Sequence, residues 1–351
     1  MRTSQQRRTA SSLAGLEGAG AARVRPPTVF DVAHASGVSI ATVSRVLNGK
    51  TAAVAPATAA RVAAAARALD YRPSEIGRSL KSSTTRVVVL MVPDATNDFC
   101  ADVAVSLEQA LQGCGLSMVL CNTAEDPDRQ DRLLADAESL RPSAVVLLGA
   151  IDTPALRALA ARDRRLVFVN RRPPPGIQAP YVGIDNHAAG RAVAGHFLAR
   201  GYLDCAVIHG PRAYAASRDR LEGFLARFAQ DGVAHRVRQI ESQLTMEAGY
   251  RHGRALLAAM PPRAVFCGND MIAYGLHRAA QETGIDVPGT LAIFGFDDNR
   301  VNAWLAPWLT TVHVPALDFG AAVVSILNGG RADRPPADVI LPFAMTLRSS
   351  A

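Results

Sequence analysis

Polar residues gather at two kinds of place in this 351-residue chain, and each place suggests a chemistry. Near the N-terminus, Thr42, Ser44 and Arg45 fall within one short amphipathic stretch. Hydroxyls and a guanidinium on one helix face can bond phosphates or the edges of bases. Further along, polar residues close short apolar runs: Asn97-Asp98-Phe99, Asn170-Arg171-Arg172, Asn269-Asp270 and Asp297-Asp298, with Arg218 and Arg220 just before a helix. Carboxylates, amides and arginines around an aromatic suit a hydroxyl-rich ligand, because each donates or accepts in fixed directions. Both are binding chemistries.

Catalysis has little to work with. The eight histidines are dispersed, and none stands in HxxxH or HExxH spacing with a third ligand, so no metal site is expected. There is no G-x-S-x-G elbow, and nothing near Cys267 marks an activated thiol. No GxGxxG follows a strand and no Walker A loop occurs, so a cofactor is unsupported. His209 and His313 sit in apolar runs and read as hydrogen-bonded core residues. Five scattered cysteines without a CxxC read as buried thiols of a reducing cytoplasm.

The elements that carry the first cluster are helical. Thr28 can cap a helix from Val29, its hydroxyl accepting an otherwise orphan amide proton. Val29, Val32 and Ala33 then form one apolar face. Gly37 supplies the left-handed residue that ends it. Ser39 caps a second helix, Ile40 to Leu47, with Val43, Val46 and Leu47 inward. Two short helices around a glycine turn form a helix-turn-helix, whose second helix enters a major groove. A third helix over Ala57–Leu69 closes the head. The second set of clusters sits on strands. RVVVLMVP, SMVLCNT, AVVLLG, RLVFVNR, CAVIHG, RAVFCGN and LAIFGF are the continuous apolar runs of buried parallel strands. Helical stretches such as Asp128–Leu140, Asn186–Arg200 and Met271–Thr283 separate them, indicating a doubly wound α/β core of two lobes with a ligand cleft between.

Charge divides the chain at the same place. Residues 1–86 hold 13 Lys and Arg against 4 Asp and Glu, a net of +9, while the remaining 265 hold 25 against 27. A basic head on a near-neutral body assigns the polyanion to the head alone. Residues 1–27, rich in Ser, Ala and Gly and closed by Pro26-Pro27, read as a solvated, disordered basic arm without the apolar segment of a secretory signal. No stretch of about 18 apolar residues is free of charge, so no membrane helix is expected.

The run DVAHASGVSIATVSRVLNG closely resembles the DNA-reading unit of the lactose-repressor/galactose-repressor (LacI/GalR) family of bacterial transcription factors. The resemblance continues through LDYRPSEIGRSLKSSTT, similar to that family's hinge, and more loosely to LPFAMTLRSS, covering roughly residues 28–350. It implies a small all-α helix-turn-helix head (28–72), a hinge helix and linker (73–85) and a periplasmic-binding-protein-like core (86–351). The core's N-lobe would take about 86–184 and 316–343, and its C-lobe about 185–315 with the C-terminal strand. Ile40 and Ala41 would choose among operators, by apolar contact such as a thymine methyl. Thr28, Thr42, Ser44, Arg45, Asn48 and Ser74 would contact DNA nearby. Leu80 would wedge into the minor groove from a hinge helix too short to persist unless two copies pair. Arg220, Asn269, Asp270 and Asp297 fall at effector-binding positions, joined by Phe99 and Arg171.

Departures from the family are visible. It commonly has Asn-Pro-Phe-Phe where this chain has Asn97-Asp98-Phe99-Cys100, reshaping the pocket if Cys100 faces it and adding a charge at Asp98. Ser74 and Gly77 stand where Asn and Ala are usual, and the glycine implies a looser hinge. The expected protein is a homodimeric, cytoplasmic, operator-binding regulator, most simply a repressor, controlled by a small sugar-like effector. A periplasmic solute-binding protein would need a secretory signal and have no use for residues 28–85. An α/β enzyme with a fused DNA module would need a catalytic constellation.

Overall fold

The computed structural model describes residues 27–71, 85–162, 165–329 and 338–351. The arm at 1–26 and the hinge, with Ser74 and Leu80, lie outside the described residues. Two compact units divide the chain, one ending at Ser82 and the other starting at Ser83.

In the first unit, helix α1 (Val29–Ser36) starts at Thr28, α2 (Ile40–Leu47) at Ser39, and α3 (Pro56–Ala68) at Ala55 with Pro56 in its first turn. Thr28 is the N-cap of α1 and forms a capping box with Asp31. Its backbone N–H and its hydroxyl both donate to the Asp31 carboxylate, at 2.6 and 2.7 Å. Gly37 ends α1 at φ 64°. Val32, Ala33, Val43, Val62 and Ala66 form the core of this small unit. Five such side chains are a modest core, which the caps supplement by about 1 kcal/mol each.

The second unit holds two six-stranded sheets. The first lobe is built on β1 (Val87–Val92), β2 (Ser117–Asn122), β3 (Ala144–Leu148), β4 (Leu166–Val169) and β5 (Tyr181–Ile184). The second lobe is built on β6 (Cys205–His209), β7 (Val237–Glu241), β8 (Ala264–Cys267), β9 (Ala292–Asp297) and β10 (Thr310–His313). Two short strands, β11 (Val339–Leu341) and β12 (Ala344–Thr346), complete the first and second sheet respectively. The orders are β11-β5-β4-β3-β1-β2 and β12-β10-β9-β8-β6-β7, all parallel except the β10–β12 pair. The connecting helices are α4 (Asp98–Gly113), α5 (Pro127–Ser139), α6 (Pro154–Arg162), α7 (Asn186–Ala199), α8 (Ala215–Gln230), α9 (Met246–Ala259), α10 (Asp270–Glu282), α11 (Asn302–Leu305) and α12 (Phe319–Gly329). The chain passes between lobes after β5, after β10 and between β11 and β12, so all three crossings lie close to strand ends. α12 returns to the first lobe, where Gly320 sits under the Ser106 carbonyl of α4 and Phe319 meets Phe99 edge-on at 5.9 Å.

Several sequence expectations need correction. SMVLCNT forms a strand, but an edge strand whose Val119 and Leu120 are exposed, because among the described residues no strand pairs beyond β2 in the sheet. His313 is exposed at the end of β10 with Nδ1 3.2 Å from Asp298, while His209 is buried as expected. Cys114 is exposed; Cys100, Cys205 and Cys267 are buried thiols. Arg218 and Arg220 lie inside α8, which begins at Ala215, rather than before it. Among the described residues no helix is long and apolar enough to cross a membrane.

Candidate functional site

On the head, α2 presents a polar and partly apolar outer face. Ile40 is 39% exposed at its N-terminus, so it does not pack inside the domain. Ala41 and Arg45 are exposed beside it. Two pairs are prearranged: Thr42 and Ser39 hydroxyls lie 3.0 Å apart, and Asn48 donates to the Ser44 carbonyl and hydroxyl at 2.7 and 3.3 Å. Arg45 has no hydrogen bond or ion pair to any described residue, leaving its guanidinium for an outside anion. A fixed helix terminus with one free cation fits a phosphate or a base edge.

In the core, the strand-end residues converge on the face where the lobes meet. Arg220, 6% exposed, is held on three sides. Its Nε donates to Asn186 Oδ1 at 2.7 Å, its Nη1 to the Gly268 carbonyl at 2.8 Å, and its plane lies over the Phe296 ring at 3.6 Å. No carboxylate among the described residues lies within ion-pair distance of it. The backbone behind it is equally constrained. Gly190 of α7 lies against the Arg220 carbonyl, and Gly223 of α8 against the His187 carbonyl, so the two helices cross with no room for a Cβ.

Asp297 ends β9 with φ 108°, a conformation costing about 1–3 kcal/mol that persists only where the surroundings impose it. Burial pushes its carboxyl up to about 8, opposed by nearby Arg220 and reinforced by Asp270. At neutral pH it therefore keeps a proton and can both donate and accept. Cys100 lies within electrostatic reach of Asp297 and Arg171, and burial first, then Asp297, pushes its thiol up to about 12. Phe99, next to it in the chain, is buried in the first lobe's core against Phe319.

Two expected contacts are also held within the fold. Asp270 is fully buried and its oxygens are taken: Thr311 donates to Oδ1 at 2.7 Å, the Asn299 amide and Asn302 Nδ2 to Oδ2 at 2.9 and 2.8 Å. It holds the turn after β9, and these three donors occupy its oxygens in the structure. Asn269 caps α10 through the Ile272 amide at 3.0 Å and donates to the Leu244 carbonyl at 3.2 Å. Arg171 is pinned by Glu125 at 2.6 and 3.2 Å and by the Gly149 carbonyl at 3.0 Å, and stacks over Tyr214 at 3.5 Å. Because Tyr214 belongs to the second lobe, this stack joins the two. The ion pair Asp102–Arg300, 3.0 Å, is a second tie between lobes. The sequence reading missed Glu125, Tyr214 and Asn186. Its own strand-end rule covered the first two, since Glu125 follows β2 and Tyr214 follows β6.

Comparison with known proteins agrees with this division. Residues 28–74 match the bacterial regulatory proteins of the lacI family, and residues 194–351 a periplasmic binding protein-like domain. The ribose operon repressor of Escherichia coli K12 is 32% identical over 308 residues, 86% of this chain and 92% of that protein. A LacI-family transcriptional regulator from Silicibacter pomeroyi superposes with a TM-score of 0.79 at 29% identity, covering 93% of this chain and 99% of its own. The regulator CelR in complex with cellobiose gives 0.67 at 27% identity, covering 93% and 100%. An exposed helix-turn-helix joined to a two-lobed core, at this identity over this length, places the chain in the lacI family of bacterial regulatory proteins, as a DNA-binding transcriptional regulator.

Proposed function

We propose that the protein is a cytoplasmic repressor that binds operator DNA as a homodimer and changes its DNA affinity when a sugar or sugar derivative enters the interlobe cleft. The observation that carries the effector half is Arg220. A buried guanidinium without a carboxylate is costly, and its oriented remaining N–H groups suit the hydroxyl or ring oxygens of a polyol. Asp297, able to donate and accept, complements it, with Phe99 as an apolar face and Asn269 and Arg171 framing the cleft. The names of two relatives, a ribose operon repressor and a cellobiose complex, support the sugar class.

On DNA, Ile40 and Ala41 read bases by apolar contact, while Thr28, Thr42, Ser44, Arg45 and Asn48 position α2. Ser74 and Leu80 would act in the hinge. Trp304 and Leu305, 85% and 77% exposed, and the bare edge of β2 support pairing of two copies, since apolar groups this exposed usually meet a partner. Effector binding would shift the lobes between two arrangements that differ in DNA affinity. Selection from random duplex DNA with the purified chain tests the reading: an inverted repeat should emerge. Enrichment of no sequence above bulk DNA would refute the operator assignment, and a thermal-shift panel of sugars, sugar acids and purines would then stand alone as a test of the cleft.

A further inference from the structure

Asn299 is 4% exposed, and neither its amide nitrogen nor its amide oxygen has a hydrogen-bond partner. Its main chain is fixed on both sides: the N–H donates to Asp270 Oδ2 at 2.9 Å, and the carbonyl accepts from the Asn302 amide at 2.8 Å. The two preceding residues, Asp297 and Asp298, have φ 108° and 55°, so the turn is held in a conformation side-chain-bearing residues rarely adopt. A fixed backbone leaves the side chain little freedom to find a partner elsewhere.

Its neighbours belong to the interlobe face. Asp297 lies near Arg220 and Cys100, and Arg300 reaches across to Asp102 of the first lobe. The Tyr274 hydroxyl lies beside Asn299; it gives its proton to Asn302 Oδ1 at 2.7 Å and feels Asp98 from the first lobe. Asn299 is thus a buried, unmet amide between a cleft carboxyl and an interlobe ion pair.

A primary amide offers two donors and an acceptor, and leaving both ends unmet in a buried place is unfavourable enough to need a reason. A partner that meets both must carry a donor and an acceptor side by side, as two adjacent hydroxyls on a sugar ring do. We propose that Asn299 is a specificity-determining residue of the effector cleft, whose amide engages a vicinal hydroxyl pair of a bound sugar. This rests on the sugar reading of the cleft given above.

Two measurements on the full chain test it. In the first, ligand-free wild type and Asn299→Leu are unfolded by heat. Removing an unmet amide should raise the melting temperature by about 2–4 °C. A drop would show that the amide has a structural partner and overturn the proposal. In the second, D-ribose, D-xylose, D-glucose, D-galactose and cellobiose are screened by thermal shift. The sugar with the largest shift is then titrated calorimetrically, with its monodeoxy analogues, into wild type and Asn299→Ala. Removing one hydroxyl of the engaged pair should weaken wild type about tenfold and the variant less than about twofold, the loss of one hydrogen bond. Equal losses in both proteins would refute the assignment alone. A wild type that no sugar shifts would refute the sugar reading of the cleft and this assignment with it.

Discussion

Gly190→Ala should disable the effector site from behind. A Cβ built at Gly190 overlaps the Arg220 carbonyl oxygen and comes within 2.9 Å of its carbon and 3.1 Å of the Phe224 nitrogen. These are backbone atoms of α8 and cannot rotate away, so the helices must part by about an ångström, an overpacking cost of about 2–3 kcal/mol. The movement carries Arg220 off Asn186 and Gly268, whose bonds at 2.7 and 2.8 Å have little slack. Losing the geometry of one charge-assisted hydrogen bond weakens a ligand about 10–100-fold. Gly195, five residues on in α7, is the control, because a Cβ there meets nothing within 4 Å. Gly195→Ala should stabilise the helix by about 0.5–1 kcal/mol. Thermal unfolding and sugar titration of both full-length variants decide the matter. Gly190→Ala should melt about 5 °C lower and bind weakly, while Gly195→Ala melts at or above wild type and binds normally. Two variants with the same melting temperature and affinity would refute the reasoning.

Three further outcomes are expected. Arg45→Ala should weaken binding to the selected operator and lower the slope of log affinity against log salt by about one, and an unchanged slope would show that Arg45 meets no phosphate. Tyr214→Ala should free Arg171 and loosen the lobes, raising protease susceptibility of the ligand-free core, while Tyr214→Phe retains the stack but loses the hydroxyl beside Glu125 and should raise it less; equal susceptibility of the two variants would show that the stack carries nothing. Because Asp297 is raised to about 8 in the folded chain, its contribution is fully present below about pH 4 and is lost as pH rises towards 8. Asp297→Asn should therefore gain on wild type in melting temperature between about pH 5 and pH 8, and a constant difference would show that the buried carboxyl is ionised throughout.

What the sequence disclosed was local. Gly37 with a cap on either side marks the turn of the head, and continuous Val, Ile and Leu runs mark β1, β3 and β9, because turn chemistry and burial write themselves into neighbouring residues. β5 and β7 leave no such mark, because YVGI is short and interrupted by a glycine and VRQIE is largely polar, although β5 is buried throughout. The candidate site was half legible. Asp297 stands at a strand end and Arg220 in the second turn of α8, inside runs where a motif can name them. Asp270 lies in such a run too, yet Thr311 and Asn302, more than 30 residues away, enclose it. The Arg171–Tyr214 stack joins two lobes, and no spacing within either segment announces such a contact. Asn299 carries no motif at all; only its missing partners single it out.

In the proposed mechanism a ligand held at Arg220 and Asp297 is coupled to DNA read by α2. Operator affinity of wild type and Asp297→Ala, each measured with and without the sugar that shifts the wild-type melting temperature most, tests it most directly. The sugar should change wild-type affinity by about 5–150-fold, and Asp297→Ala should bind DNA as wild type does without sugar and ignore its addition. An identical sugar response in the two proteins, or none in wild type, would contradict it.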